Sequence, residues 1–394
     1  MSKTNNFKDF SSLRALVVAF RGASRGKRYR TYGASYNYQR LEVLLTLQQE
    51  IRSNNYYPKP HKRFTVHDPR KRLIDAPHFR DRIVHHAVSA SLNDIYEPCF
   101  IYDTYACRQN KGSHQAARRL QHFIRWQTNT PLYVLHLDIS KYYASVNHGV
   151  LKRLLRKKIT DPLLLKLVYI IIDSYQSGHE HDHLFAPSSP YHTKGPRGIP
   201  IGNLTSQIFG NVYLHEVDLY IKRVLKAKRY IRYMDDLMVI SDDKQALGRW
   251  KQQITQFLHD ELYLTVHPRK TRLFPARTGV EFVGYVIWRH KIRVRSSTVK
   301  LFKRRWKQLL KHHKAGTISK EELGEIFYSW VAHLSHASPR QANQLIRKLY
   351  SQYTEVRRDV DIPIPTVQTS LQKTVLHKPP GGGGLNLQSN YACA

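Results

Sequence analysis

The sequence predicts an α+β protein, and two features of its pattern support this class. Short β-rich runs occupy the middle of the chain: PLYVLHLDIS begins at Pro131, and YIRYMDDLMVIS surrounds residues 235 and 236. Segments with apolar residues at helical spacing precede and follow these runs. The chain has 394 residues and is 41% hydrophobic, which is enough for a large core and for two or three subdomains.

The helical segments can be placed in order along the chain. The first covers residues 40–56, and its predicted apolar positions are Leu41, Leu44, Leu45, Leu47 and Ile51. Further helices are predicted over residues 82–95, 113–126, a stretch ending near 175, 203–224 and 297–350. In the last of these, one apolar stripe consists of Val299, Phe302, Trp306, Leu309 and Leu310. From about residue 358, scattered Pro and the run PPGGGG indicate a linker or tail.

The composition is strongly basic. Lys and Arg number 64 against 29 for Asp and Glu, so the formal net charge is +35. Nucleic acid is the first candidate partner, because neutralising phosphates releases counterions. A membrane surface is the competing partner, but the basic residues do not flank an apolar helix. With no apolar run typical of a signal peptide or a membrane span, we expect a cytoplasmic protein without membrane contact.

The most informative local pattern is an acidic pair, Asp235-Asp236, between two β-rich runs. A hairpin would place one or both carboxylates at its tip, and an ordinary turn is the alternative interpretation. A second acidic strand end, Asp138, favours chemistry, because carboxylate oxygens are the ligands that Mg²⁺ prefers. We expect Asp138 and Asp235 to be bridging ligands and Asp236 to be a weaker ligand or an orienting group. The backbone carbonyl of Ile139 is a further candidate ligand.

Such a carboxylate set suits phosphoryl transfer with two Mg²⁺ ions, for which Mn²⁺ is the alternative. Two ions about 4 Å apart can clamp the attacking and leaving oxygens of an in-line displacement. The protein then mainly positions groups and supplies charge. The predicted catalytic residues are therefore Asp138, Asp235 and Asp236.

A series of ordered motifs carries a family resemblance. LDISKYYASVNH and RYMDDLMVIS resemble the acidic motifs of reverse transcriptases, and GIPIGNLTSQIFGNVYLHEVD resembles the template- and nucleotide-positioning motif between them. LTVHPRKT and GVEFVGYVIW resemble the later palm motifs, and RKRLIDAPHFRDRIVHHA and IYDTYACRQNKGSHQA resemble fingers motifs. The similarity covers about residues 25–350.

This resemblance implies an RNA-directed DNA polymerase with a right-hand fold. Residues 1–125 would form an N-terminal segment and fingers, and 126–290 the palm, with an antiparallel sheet packed on helices and some fingers elements. Residues 291–352 would form a helical thumb and 353–394 a flexible tail. The implied partners are template RNA, the RNA/cDNA duplex and dNTPs. The implied nucleotide-binding residues are Arg72 on the triphosphate, Tyr143 against the sugar C2′, Lys270 at the pyrophosphate, and Ile201, Gly202 and Gln207 of the central motif. Tyr142 is expected to be core. For Arg70 and Lys71, which precede Arg72, a solvated basic turn and a role at the nucleotide both stay open.

The subfamily implied is narrower. IGNLTSQ, RGKRYRTYG and SWVAHLSHA resemble the reverse transcriptases of diversity-generating retroelements. Those enzymes copy a template RNA with errors opposite adenine, in bacterial, archaeal or phage systems, and act with a small basic, oligomeric accessory protein. An antiviral-defence or retron-like enzyme is the rival, and a group II intron maturase is less expected because no HNH or Cys-rich segment follows the thumb. A catalytically silent RNA-binding protein is the alternative from another class.

Two further patterns have ordinary interpretations. The loop SGHEHDHLFAPSSPYHTKGPRG contains His179, His181 and His183, but this spacing in a loop gives no fixed metal geometry. We expect a solvated loop. In the helices from 297 to 350, the aromatic residues Trp306, Tyr328 and Trp330 are expected to be core, and the basic face is expected to follow a duplex backbone.

Overall fold

A computed structural model describes residues 7–25, 38–67, 72–125 and 130–354. Nearly all of the motif RGKRYRTYG, the pair Arg70 and Lys71, and the C-terminal tail from residue 355 lie outside these ranges. The chain divides into two compact units. Unit 1 contains the described residues up to Gly112 together with Val134–Leu273, and unit 2 contains Ser113–Tyr133 and the described residues from Phe274 onwards.

Unit 1 is mixed helix and sheet. Its helices are α1 (Phe7–Phe10), α2 (Leu13–Ser24), α3 (Arg40–Arg52), α4 (Phe79–Tyr96), α6 (Tyr142–Ser145), α7 (His148–Arg156), α8 (Pro162–Asp173), α9 (Pro190–Thr193), α10 (Leu204–Leu219) and α11 (Lys244–Leu262). A π-helical turn, Tyr220–Val224, continues α10. The helix predicted near residues 203–224 is therefore confirmed.

The strands of unit 1 form two sheets. β1 (Lys62–Val66) and β2 (Arg72–Ala76) make an antiparallel pair. The second sheet has the order β4-β5-β3-β6, with β3 (Tyr133–Asp138), β4 (Arg229–Tyr233), β5 (Asp236–Ser241) and β6 (Arg272–Pro275). β4 and β5 form an antiparallel hairpin in which Tyr233 pairs with Asp236. The two β-rich runs of the sequence are thus strands, as predicted.

Local signals explain where several helices begin. The side chain of Asp161 accepts hydrogen bonds from the backbone N–H groups of Leu163 and Leu164, and Pro162 occupies the first position of α8. Asn147 caps α7 and Asp243 caps α11 in the same manner. α10 packs against α4, α7 and α11, and α11 packs on β5. α11 therefore contacts the β4–β5 hairpin through β5.

The apolar face of α3 is narrower than the sequence suggested. Leu44, Leu47 and Ile51 are buried, whereas Leu41 is 62% exposed and Leu45 is 47% exposed. The buried residues are three or four positions apart and form one stripe, and the two exposed leucines lie beside it. Of the five apolar residues at helical spacing, only the three in this stripe are therefore part of the core.

Unit 2 contains helices and a small sheet. Its elements are α5 (Ser113–Arg125), β7 (Val280–Phe282), β8 (Tyr285–Ile287), β9 (Ile292–Val294), α12 (Ser296–Lys314), α13 (Lys320–Leu334) and α14 (Pro339–Thr354). Trp306 and Trp330 are buried, and Phe302 stacks on Trp330 with ring centroids 4.2 Å apart. The core interpretation of these two tryptophans is confirmed, whereas Tyr328 is 44% exposed.

A histidine cluster, consisting of His114, His333 and His336, joins several elements of unit 2. The rings of His114 and His336 stack with centroids 3.7 Å apart. The hydroxyl of Tyr285 lies 2.9 Å from Nδ1 of His114 and 3.2 Å from Nδ1 of His333. Arg118 donates from Nη2 to Nδ1 of His336 at 3.2 Å. Within the described ranges, no helix of either unit is long and apolar enough to cross a bilayer.

Candidate active site

Two strand ends bring three carboxylates together in unit 1. Asp138 is the last residue of β3, Asp236 is the first residue of β5, and Asp235 lies in the turn between β4 and β5. β5 neighbours β3 in the sheet, so the strand end and the turn converge. Burial, together with the charges of Asp138 and Asp236, raises the pKa of Asp235 to about 7. The site therefore concentrates negative charge that a cation would relieve.

Asp138 is held by a lysine. Nζ of Lys270 donates to Oδ1 of Asp138 at 2.8 Å and to Oδ2 at 3.1 Å. The main chain fixes this approach, because the N–H of His267 donates to the carbonyl oxygen of Asp138 at 2.7 Å. Ile139 is buried and forms an isolated bridge with Val266. Lys270 therefore contacts a catalytic candidate directly, which its sequence motif did not indicate.

Asp236 has a partner that sequence reasoning missed. Nε2 of His136 lies 2.6 Å from Oδ1 of Asp236, in a close contact that lacks the alignment of a good hydrogen bond. His136 lies two residues before Asp138, and side chains alternate along a strand, so both lie on one face of β3. The alternation in LHLD is the signal that could have identified His136.

The donor set suits a hard divalent cation. Carboxylate oxygens are the ligands that Mg²⁺ and Mn²⁺ prefer. In the part of the chain that the structure describes, no group of three or more His, Cys, Asp or Glu side chains is arranged to hold a metal ion. Asp138 instead contacts Lys270, and Asp236 contacts His136. The residues fit a cation chemically, and the site would bind it by exchanging these contacts.

Tyr143 lies beside the carboxylates. Burial and the nearby charge of Asp235 raise the pKa of the Tyr143 hydroxyl, and the charge of Arg72 acts in the opposite direction. The hydroxyl is buried without a hydrogen-bond partner among the described residues. The carbonyl oxygen of Tyr143 accepts from the N–H of Ile199 at 2.8 Å, which joins it to the central motif. Tyr142 is buried, which confirms its interpretation as core.

The central motif approaches β2. Gly202 has a φ of +114°, and a Cβ there would lie 3.1 Å from Cγ2 of Ile74. The turn thus needs glycine for both its backbone conformation and its close approach. Ile201 is half-buried beside it, and Gln207 is half-buried in the first turn of α10. The charges of Asp235 and Arg72 both act on the Tyr143 hydroxyl. A backbone hydrogen bond from Ile199 joins Tyr143 to the motif that contains Ile201.

The His-bearing loop, residues 177–198, is largely exposed, as predicted, and His179 and His183 lie at its surface. It is joined to β1, because Arg63 donates to Glu180 at 2.9 Å and to Asp75 at 2.7 Å. Within the loop, Arg197 donates to Asp182 at 3.2 Å. Arg63 and Glu180 are 117 positions apart, so local sequence gave no signal of their contact.

Comparison with known proteins defines the class. Residues 57–287, more than half of the chain, match the sequence pattern of the family described as "Reverse transcriptase (RNA-dependent DNA polymerase)". The carboxylate site lies inside the matched segment. The chain therefore belongs to the reverse transcriptase family, the RNA-directed DNA polymerases, and its helices and antiparallel sheet form a right-hand polymerase fold.

Individual relatives are distant. The chain is 26% identical to protein YkfC of Escherichia coli K12 over 291 residues, which cover 64% of this chain and 74% of YkfC. It is 23% identical to the group II intron-encoded protein LtrA of Lactococcus lactis over 324 residues, covering 66% of this chain and 51% of LtrA. This chain thus spans about half the length of LtrA. Apo telomerase from Candida tropicalis aligns with a TM-score of 0.47 at 12% identity, covering 89% of this chain and 78% of the telomerase chain.

Proposed function

We propose that this protein copies a template RNA into cDNA, with frequent errors opposite adenine, as part of a diversity-generating retroelement. The observation that carries the polymerase activity is the convergence of Asp138, Asp235 and Asp236 at one strand end and one turn. The retroelement assignment is supported by the IGNLTSQ form of the central motif and by SWVAHLSHA.

In this proposal Asp138 and Asp235 hold two divalent cations, Mg²⁺ or Mn²⁺, with Asp236 orienting through its contact with His136. The Ile139 carbonyl is a further candidate ligand. When bound, the ions would supply the charge that activates the primer 3′-hydroxyl and neutralises the departing pyrophosphate. The three carboxylates by themselves repel the anionic nucleotide, so their charge must be compensated before a dNTP binds.

The remaining residues position the nucleotide. Arg72 binds the triphosphate through charge-assisted hydrogen bonds. Nζ of Lys270 has three donors, and two of them bond Asp138, so it can turn one or more of them to a phosphate oxygen of the bound nucleotide. Tyr143 packs against the sugar and excludes a 2′-hydroxyl. Ile201, Gly202 and Gln207 shape the site around the nascent base pair, and an apolar side chain at position 201 offers that pair no hydrogen bond.

The proposal extends to architecture and partners. Residues 1–125 form the N-terminal segment and fingers, 126–290 the palm, 291–352 the thumb and 353–394 a tail. The partners are the template RNA, the RNA/cDNA duplex and a small basic accessory protein, and the reaction takes place in the cytoplasm. Net charge opposes association of two basic proteins, so shared RNA or a specific patch must hold them together.

Primer extension on a defined RNA tests the activity. We expect wild type to extend the primer with Mg²⁺ or Mn²⁺, and Asp138→Asn and Asp235→Asn each to lose at least about a thousandfold in rate while binding RNA normally. Asp173→Asn is the matched control, since Asp173 is an exposed aspartate of unit 1 paired with Lys152. Near-normal extension by either active-site variant would contradict the assignment. Sequencing the cDNA tests the error pattern, and errors spread evenly over the four template bases would remove the retroelement proposal.

The similarity to LtrA favours a second candidate, an enzyme of the kind that group II introns encode. The same sequencing separates the two candidates. A cDNA without an excess of errors opposite adenine, made from an intron-type RNA that co-purifies with the protein, would support the second.

A further inference from the structure

A closed network of hydrogen bonds lies beneath the catalytic turn. Arg232 of β4 and Asp218 of α10 are both fully buried. Arg232 donates from Nε to Oδ1 of Asp218 at 2.7 Å and from Nη2 to Oδ2 at 2.6 Å. Nη1 donates to Oδ1 of Asn211 at 3.1 Å and to the carbonyl oxygen of Met234 at 3.2 Å, and Nη2 also reaches the Asn211 carbonyl at 3.5 Å. All five N–H groups of the guanidinium therefore have acceptors.

The carboxylate is equally saturated. Besides the two bonds from Arg232, Oδ1 of Asp218 accepts from the Tyr230 hydroxyl at 2.6 Å and Oδ2 accepts from the Thr104 hydroxyl at 3.2 Å. Four donors fill the four acceptor positions of the carboxylate. A buried ion pair is weak evidence for stability in itself, because apolar replacements are often as stable. A role beyond stability should therefore be sought in what the pair contacts.

The contact that reaches the active site is the carbonyl of Met234. Met234 has a φ of +54°, in the left-handed region that glycine adopts readily and methionine does not. Its side chain is buried, with Sδ 3.4 Å from the position a Cβ of Gly210 would occupy. The turn is thus held at its carbonyl by Arg232 and at its side chain by α10. Asp235 is the next residue, so the same contacts set the position of its carboxylate.

We propose that Arg232 and Asp218 act as a positioning pair, which holds the Met234–Asp235 turn in a strained conformation and so places the Asp235 carboxylate beside Asp138 for cation binding. This inference rests on the proposed polymerase function. Neither residue touches substrate in the proposal. Both act through the main chain of the turn.

Two variants separate positioning from stability. Arg232→Lys keeps a charge beside Asp218 but loses the planar fork that also reaches the Met234 carbonyl. The double variant Arg232→Met, Asp218→Leu removes both charges and leaves no unpaired buried ion. It also removes the hydrogen bond from Arg232 to the Met234 carbonyl. Arg80→Lys is the matched control, because Arg80 is a largely buried arginine of unit 1 that pairs with Glu50 and Asp81.

Three readouts are measured on each variant: the melting temperature, Mn²⁺ binding in the absence of nucleic acid by electron paramagnetic resonance, and kcat with KM for dNTP. We expect the double variant to fold and to melt below wild type, because the buried hydroxyls of Tyr230 and Thr104 lose their acceptor. Both Arg232 variants should bind Mn²⁺ on the order of tenfold more weakly, as removal of outer-shell partners does elsewhere. Their kcat should fall by a similar factor with little change in KM, and Arg80→Lys should keep wild-type Mn²⁺ affinity.

Wild-type Mn²⁺ affinity in a folded Arg232 variant would overturn the proposal. Failure of both variants to fold would also overturn it, since the pair would then serve stability. The polymerase assignment fails separately, if wild type extends no primer. The Mn²⁺ measurement still decides the positioning role in that case, because it needs no nucleic acid.

Discussion

Lowering the pH from 7 to 5 should destabilise unit 2 through its histidine cluster. Burial, followed by the charge of His114, lowers the pKa of His333 to about 4. Burial, followed by the charges of His114 and Arg118, lowers the pKa of His336 to about 4. At pH 5 the unfolded chain binds protons at these side chains, with an ordinary pKa near 6.5, and the folded unit does not. The contribution of these two neutral histidines to the stability of unit 2 is therefore fully present above about pH 6.5 and is lost as the pH falls below that value.

The magnitude follows from the pKa difference. A histidine whose pKa is about 6.5 in the unfolded chain and about 4 in the folded unit lowers the free energy of unfolding by roughly 2 kcal/mol at pH 5 relative to pH 7. Two such histidines cost about 2–4 kcal/mol, the lower figure allowing for partial exposure and mutual coupling. That is a substantial part of the stability of an ordinary domain.

Urea unfolding followed by tryptophan fluorescence measures the effect, because Trp288, Trp306 and Trp330 all lie in unit 2. The variant His336→Gln keeps an oxygen acceptor for Arg118 and cannot be protonated, so it should lose about half of the pH dependence. Replacing the exposed His290 with Gln is the control and should leave that dependence unchanged. Equal unfolding free energies at pH 5 and pH 7, or a full pH dependence in His336→Gln, would refute the reasoning.

Three further outcomes are expected. Gly202→Ala should destabilise the protein by about 1–3 kcal/mol and raise KM for dNTP, because Gly202 has a φ of +114° and lies close to Ile74. The control Gly248→Ala, in a helix with open space around it, should instead raise the melting temperature. Equal melting temperatures for the two variants would count against the argument. Ile201→Gln should reduce errors opposite adenine several-fold, since one net hydrogen bond contributes about 1 kcal/mol, and an unchanged error spectrum in sequenced cDNA would assign infidelity elsewhere. With a net charge of +35, RNA affinity should fall by about a thousandfold between 50 and 200 mM salt, and a flat binding constant in a filter assay would be inconsistent with phosphate-dominated binding.

Much of the carboxylate site could be predicted from sequence because its signals are local. Asp138, Asp235 and Asp236 are acidic residues at the ends of apolar β runs, and the strands that carry them lie where the pattern placed them. The helix after Asn203 was recognisable from its length and its apolar content. Local sequence fixes which residues are strand ends, and the sheet then brings those ends together.

The partners of these residues could not be predicted, because each is a tertiary contact. In a chain with 64 Lys and Arg residues, the sequence gives no reason to distinguish Arg232 from a surface arginine. In the structure it is fully buried and paired with Asp218. Arg63 and Glu180 are 117 positions apart and still form a hydrogen bond. Periodicity likewise could not show that Leu41 is 62% exposed. Such facts depend on which element packs opposite, which sequence spacing does not encode.

The Arg232–Asp218 pair also restricts how this gene can change over generations. Replacing either residue alone by a neutral side chain leaves an uncompensated buried charge, at a cost of about 3–5 kcal/mol. Replacing both by apolar residues removes that cost but, with the positioning role proposed above, still weakens cation binding. Across descendants of this sequence, positions 218 and 232 should consequently be retained together, and a rare single replacement should appear only on backgrounds with spare stability.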